Sequence, residues 1–272
     1  MRKGYYLIIL ILSTLLTGCL DMVYSLDNTV NAEETKIETF QVANDSDFSI
    51  ENINGDIKIE SSSNDMIEIV IRKTTSKDKS ELAKAKVIID KQSDHTYVKT
   101  EYLKKKVNVN VYYTVKLPKN VNLNNVDLVN GSVNIKNVNG KSINVECVNG
   151  NITVNSVEGE ISLESVNGNI DIKNTSTIKE IETVNGSIKS EISKIADNSE
   201  MSTVNGSIKL YIDDEANMSL RAETMNGSVL IENDKIISKT KRKNKFYGKI
   251  GNGKNEMNVS SMNGSIKVFN LN

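Results

Sequence analysis

One short unit limits what this chain can fold into: Asn-Gly, preceded by Val or Met and followed by a polar and then an aliphatic residue. It stands at Val129-Asn-Gly-Ser-Val133, Val138-Asn-Gly-Lys-Ser-Ile143, Val148-Asn-Gly-Asn-Ile152, Val166-Asn-Gly-Asn-Ile170, Val184-Asn-Gly-Ser-Ile188, Val204-Asn-Gly-Ser-Ile208, Met225-Asn-Gly-Ser-Val229 and Met262-Asn-Gly-Ser-Ile266. Val157-Glu-Gly-Glu-Ile161 is a variant, and Ile53-Asn-Gly-Asp-Ile57 an early copy. Glycines 131, 140, 150, 159 and 168 are nine or ten residues apart, and glycines 168, 186, 206 and 227 eighteen to twenty-one. A self-similar unit at such a period implies stacked repeats, each burying its apolar face on the next.

After each glycine the residues alternate, as in Ile152-Thr-Val154 and Ile208-Lys-Leu210, which is the pattern of a strand with one face buried. Asn-Gly between such strands is ordinarily a two-residue hairpin signal. Parity opposes it here, because the residues flanking a hairpin turn share a face, and the residue after each Gly is polar. A three-residue corner, Asn-Gly-x, lets both Val148 and Ile152 point inward. The expected fold is therefore all-β, a parallel β-solenoid with coils of about eighteen to twenty residues; an antiparallel meander or barrel is the alternative. Coils stack about 4.8 Å apart, and roughly seven fit between Val129 and the C-terminus. Aligned corner Asn side chains can hydrogen-bond along the axis. Val in place of Gly186 or Gly206 is expected to destabilise the rod through resistance to positive φ. Ahead of the turn lies a column of small residues, read as Cys147 with Ser156, Ser165, Thr183 and Thr224.

With no Trp, one Pro and 5% aromatic residues, the core must be aliphatic. Arg2 and Lys3, the apolar run Tyr5 to Leu16 and the sequence Leu16-Thr-Gly-Cys19 read as a secretory signal too short to span a bilayer, ending in what resembles a bacterial lipobox. Residues 1–18 are thus expected to be a signal peptide, Cys19 the lipid attachment site, 19–34 a tether and 35–272 one β-solenoid domain, less regular over 35–118 and regular over 119–272. Residues 78–86 suit one short helix, with Ser80 as a candidate cap. Cys147 would be the one remaining thiol, so no intrachain disulfide is expected, and His95 is the only histidine. The formal net charge of −1 gives no support to nucleic-acid binding. Positive charge concentrates around Lys241, Arg242 and Lys243, in a stretch that interrupts the repeat. A solvated loop explains it; a contact with an anionic envelope polymer or lipid headgroups is the functional alternative. Lys104-Lys-Lys106 is a weaker cluster of the same kind.

The strand Tyr113-Thr-Val-Lys-Leu-Pro118, feeding Val121-Asn-Leu123 and then the serial Asn-Gly strands, resembles a bacterial candidate-adhesin domain family of unknown function that includes LiaG-like envelope proteins. So does Gly248-Lys-Ile-Gly-Asn-Gly253 followed by Met257-Asn-Val259 and a last Asn-Gly-Ser-Ile unit. The resemblance covers about residues 36 to 270. It implies a right-handed, extracytoplasmic β-solenoid, often membrane-anchored, and it supplies no catalytic residues. The expected function is a non-enzymatic cell-surface lipoprotein on the outer face of the cell membrane, a candidate adhesin or envelope-binding rod. Abundant Asn, Lys and Ile suit a Gram-positive source. Expected partners are the membrane through the lipid anchor and either cell-wall polymer or an envelope protein. A sensory subunit of an envelope-stress system is the alternative. A polysaccharide-acting enzyme would need clustered acids, whereas Asp171, Glu160 and Glu164 read as falling singly in polar columns. No cofactor and no metal are expected, since the corners carry Asn, Ser and Lys where calcium-binding repeats carry Asp.

Overall fold

The computed structural model describes residues 30–175 and 177–271; Cys19 and the expected signal peptide lie outside them. β1 (Ala32–Gln41), β2 (Asp47–Asn54), β3 (Ile57–Ser62) and β4 (Met66–Thr75) lead through a 3-10 helix (Lys79–Lys84) to β5 (Ala85–Lys91), β6 (His95–Tyr102) and β7 (Asn110–Pro118). Long and short strands then alternate: β8 (Asn122–Asn130), β9 (Val133–Lys136), β10 (Asn139–Asn149), β11 (Ile152–Asn155), β12 (Glu158–Asn167), β13 (Ile170–Lys173), β14 (Thr177–Asn185), β15 (Ile188–Ile192), β16 (Ile195–Asn205), β17 (Ile208–Ile212), β18 (Met218–Asn226) and β19 (Val229–Glu232). A hairpin, β20 (Ile237–Arg242) and β21 (Lys245–Ile250), precedes the last pair, β22 (Asn255–Asn263) and β23 (Ile266–Asn270). The helix starts after Asp78 and has no side-chain cap bond, so Ser80 does not cap it. β1 begins at Ala32, inside the stretch read as tether.

Two sheets face each other. One runs β1-β4-β7-β3-β9-β11-β13-β15-β17-β23-β19, the other β20-β21-β18-β22-β16-β14-β12-β10-β8-β2-β6-β5. From β8 on, and in β2–β3, each coil is one long strand, an Asn-Gly corner and one short strand, paired in parallel and in register with its neighbours; Ile170, for example, lies opposite Ile188 and Ile188 opposite Ile208. The core between the sheets is aliphatic, with Ile152, Leu163, Ile172, Ile181 and Leu210 at 0–1% exposure. This is the β-solenoid the repeat implies. Its coils are not stacked in chain order: β22–β23 lies between β16–β17 and β18–β19, and β2–β3 between β6–β7 and β8–β9. The ends are closed by antiparallel strands, β1, β4 and β5 at one end and β20–β21 at the other. Among them β1 turns charged Lys36 and Glu38, bridged at 2.7 Å, to the side occupied by Ile71 and Ile69 on β4, a device that discourages edge-to-edge aggregation.

The corner differs from its expectation in one respect. Val148, Val166, Val184 and Val204 are half-exposed, and the residue before each, Cys147, Ser165, Thr183 or Thr203, is the buried one. Small side chains occupy that inward site because their hydroxyl or thiol reaches the glycine carbonyl of the adjacent coil: Thr183 Oγ1 donates to Gly168 O at 3.0 Å, Thr203 to Gly186 O at 2.9 Å and Cys147 Sγ to Gly131 O at 3.4 Å. Ser156 belongs to the opposite corner, where it takes φ 54° in line with Asn137 and Asn174.

The corner asparagines form one continuous ladder. Each Nδ2 donates to the next Oδ1 at 2.8–2.9 Å, running from Asn226 through 263, 205, 185, 167, 149 and 130 to Asn54. Asn54 in turn donates to Tyr102 Oη at 3.2 Å. Asn167→Ala removes two of these bonds at a mid-ladder position and is expected to cost about 1–2 kcal/mol. Calorimetric unfolding checks it; an unchanged midpoint would mean that water replaces the ladder without loss.

Candidate functional site

The basic stretch at 235–245 is a hairpin that caps one end of the rod. Its two-residue turn, Lys243-Asn244, folds back on the last corner: Val229 N donates to Lys243 O at 2.8 Å and Thr224 N to Asn244 O at 2.9 Å. Arg242 and Lys243 are exposed, and the side chain of Lys241 lies outside the described residues. Lys245 is not free, pairing with Glu223 at 2.6 Å. The hydrogen bond from Lys245 holds the Glu223 carboxyl below its usual range, against the smaller opposing effect of burial.

Register brings further cations toward that tip. Lys189 lies opposite Lys209 and Lys209 opposite Lys267, all on the outer face, and the column continues through Leu230 of β19, whose neighbour Val229 bonds the hairpin turn. Beside it Tyr211 and Phe269 stack at 5.2 Å, with Lys189 Nζ 5.5 Å from the Tyr211 ring centre. The sequence reading does not single out these three lysines. The signal is present, since each follows Asn-Gly-Ser-Ile, but the third joins the column only because β23 inserts beside β17.

The opposite sheet carries an acidic column. Glu51, Asp127, Glu146, Glu164 and Glu182 occupy one outward position on β2, β8, β10, β12 and β14 in register, and Glu180 and Glu200 adjoin it. This corrects the reading that Glu164 stands singly; Glu160 does stand apart, paired to Lys179 at 3.2 Å. Parallel in-register pairing converts one polar position per repeat into a line of like charges about 4.8 Å apart. Glu182 is 2% exposed. Its Oε1 accepts from Ser202 Oγ at 3.2 Å and its Oε2 has no partner. Burial first, then neighbouring carboxylates, push Glu182 up to about 8 and Glu164 to about 7; Asp127 also rises to about 7, chiefly by burial.

Cys147 is buried and its thiol is pushed up to about 12 by desolvation, which suits packing and removes it as a nucleophile at neutral pH. Among the described residues no group of three or more His, Cys, Asp or Glu side chains is placed to hold a metal ion, and no helix is long and apolar enough to cross a membrane. A cavity of about 540 Å³ opens at the N-terminal end between β1 and β5, and one of about 320 Å³ beside Ile195 and Met218. Neither adjoins the acidic column.

No curated protein matches the chain. Solved structures that align with it include a candidate cell-adhesion protein from Clostridium sporogenes (14% identity, 88% of this chain and 100% of that one, TM-score 0.34). A candidate adhesin from Bacteroides fragilis aligns at 12% identity over 86% and 97% of the two chains, with TM-score 0.43. A candidate lipid-binding protein from Parabacteroides distasonis aligns at 17% identity over 88% and 97%, with TM-score 0.33. A family model described as Toastrack DUF4097 matches residues 79–269, a span that runs from the start of the 3-10 helix through nearly all of β23. On that match the chain belongs to the Toastrack DUF4097 family.

Proposed function

We propose that the protein is a non-enzymatic cell-surface lipoprotein, held by lipid on Cys19 at the outer face of the cell membrane, whose far end binds a polyanionic envelope polymer. The observation that carries this reading is the column Lys189, Lys209 and Lys267 running toward the basic hairpin tip, at the end of the rod opposite the point where the chain enters it. Three lysines in register on one outer face, with one acid, Asp171 opposite Lys189, at the inner end of their column, repel one another by at most about 1 kcal/mol per neighbouring pair in water. A polymer with regularly spaced negative charges relieves that repulsion, and the Tyr211–Phe269 stack offers an apolar shelf beside it.

Two triple variants of the chain from residue 20 test the assignment: Lys189→Ser, Lys209→Ser, Lys267→Ser, and separately Lys241→Ser, Arg242→Ser, Lys243→Ser. In sedimentation with an anionic cell-wall polymer fraction, each is expected to lose about tenfold or more in affinity, with a weaker salt dependence than the parent. Retention equal to the parent in both variants removes this face from consideration.

A further inference from the structure

A second basic surface lies at the other end, where the chain enters the fold. Asn31 N donates to Thr75 O at 2.9 Å and Asn31 Nδ2 to Ser76 O at 2.7 Å, so the entering strand is fastened one residue from exposed Lys77. Asn108 ties the same corner together: its Oδ1 accepts from Ser76 N at 3.1 Å and Ser76 Oγ at 2.9 Å, and its own N–H donates to Glu81 Oε1 at 3.3 Å. Leu103 N donates to Lys84 O at 2.9 Å. These bonds gather the 3-10 helix, with Lys77 and Lys79 at its start, and the β6–β7 loop with Lys104, Lys105 and Lys106, all exposed. Lys84 is occupied by Glu81; Lys86 is exposed at the start of β5. Seven lysines here face Asp78, Glu81 and Glu101, the last directly opposite Lys86 across the β5–β6 pair, a local excess of four positive charges (seven minus three) in a chain of formal net charge −1. Leu103, 63% exposed, stands in the middle of them.

We infer that this corner is a docking surface for an anionic phospholipid bilayer. A lysine cluster around one exposed apolar side chain is the composition of a surface that rests at headgroup level. The tether argues for the bilayer over a distant partner. Val30 comes eleven residues after Cys19, a reach of at most about 40 Å. An anchor at Cys19 therefore keeps this corner close to the headgroups, and the inference rests on the anchoring reading for that placement alone. Docked this way, the rod meets the membrane by its N-terminal end and presents the Lys189–Lys267 column away from it.

The test uses the unlipidated chain from residue 20, which contains the whole core described above, and vesicles of phosphatidylcholine with or without phosphatidylglycerol at physiological ionic strength. The parent is expected to sediment with the phosphatidylglycerol vesicles and not with pure phosphatidylcholine. The variant Lys77→Ser, Lys79→Ser, Lys104→Ser, Lys105→Ser, Lys106→Ser is expected to bind about a hundredfold more weakly while its unfolding midpoint stays that of the parent, since all five side chains are exposed. The Lys241→Ser, Arg242→Ser, Lys243→Ser variant is expected to bind vesicles as the parent does. No binding by the parent, equal binding by the five-site variant, or loss of wall-polymer binding instead of vesicle binding overturns the inference. Mass spectrometry of Cys19 in membrane-extracted protein decides the anchor separately, so failure of one reading is not failure of the other.

Discussion

Gly186→Val is expected to lower the unfolding midpoint by about 10 °C. The cause is not the one the sequence suggests, for Gly186 and Gly206 are not among the glycines with left-handed φ. A Cβ at Gly186 would instead be driven into the carbonyl oxygen of Gly168 in the adjacent coil, nearer than carbon approaches oxygen without bonding, and would crowd Thr183 Oγ1 at 3.0 Å. Gly168 O is the acceptor for that same hydroxyl, so the carbonyl cannot move aside without giving up its bond. Overpacking typically costs about 1–3 kcal/mol, occasionally more, and the lost hydrogen bond adds about 1. About 3–4 kcal/mol in all corresponds to about 10 °C in a chain of this size. Circular dichroism melting checks it, with Lys189→Val, on the outer face of the strand that follows this corner, as the control expected to be near neutral. A Gly186→Val midpoint within a degree or so of the parent would show that neighbouring corners can spread.

The protein is expected to become more stable as the pH falls from about 8 to about 6. Folded-state values for Glu182, Glu164 and Asp127 are raised above those of free carboxyls, so the folded chain binds more protons than the unfolded one in that window. Stability from these groups is fully present below the unfolded values, 4.5 for Glu and 3.8 for Asp, and is lost as the pH rises through about 7 to 8. Each proton that the folded chain holds in excess adds about 1.4 kcal/mol for every pH step of one. With folded values near 7, 7 and 8, the slope is on the order of 1 kcal/mol per pH step near pH 8 and steepens toward pH 6, where coupling of Glu182 to Glu164 keeps it below three times the single value. More acid conditions reverse the trend. Glu81 and Glu223, lowered by hydrogen bonds from Lys84 and Lys245, stabilise the fold above the unfolded value and lose that contribution as the pH falls through their own. Glu182→Gln should raise the midpoint at pH 8 and flatten the profile, while leaving stability near pH 5 within about 1 kcal/mol of the parent. A parent profile flat between pH 6 and 8 would contradict the ionic column; so would a Gln variant as pH-dependent as the parent.

Fold class is legible because the repeat writes it out. Alternation after each glycine marks the strands, parity marks the corner, and the columns of Asn and of Ser, Thr and Cys each prove to be a hydrogen-bonded row. Val148 is misplaced by parity, which alone does not say which of two adjacent residues a tight corner can hold; the glycine carbonyl selects the one that donates. The charged columns are harder to see. Glu146, Glu164 and Glu182 each occupy an ordinary polar position within their own repeats, and they become a line of charge only when parallel pairing sets them side by side. Lys267 is less visible still, since the coil that carries it is laid down out of turn. Of the N-terminal lysines only Lys104-Lys-Lys106 stands out in the sequence, because the bonds from Ser76 to Asn108 and from Leu103 to Lys84 that bring Lys77 and Lys79 alongside join residues well separated along the chain.

Coils laid down out of turn also decide how the rod can come apart. A solenoid stacked in chain order can peel from either tip, one repeat after another, each step breaking a single interface. Here the coil outermost in space at the hairpin end, β18–β19, is not the last in the chain, and its parallel neighbour, β22–β23, is gripped on both sides. At the other end β2–β3 is held in the same way between β6–β7 and β8–β9. A pull on the C-terminus therefore meets two interfaces loaded together, as when a rope's tail is tucked beneath its final turn. Under such a pull, that is the difference between unravelling and holding.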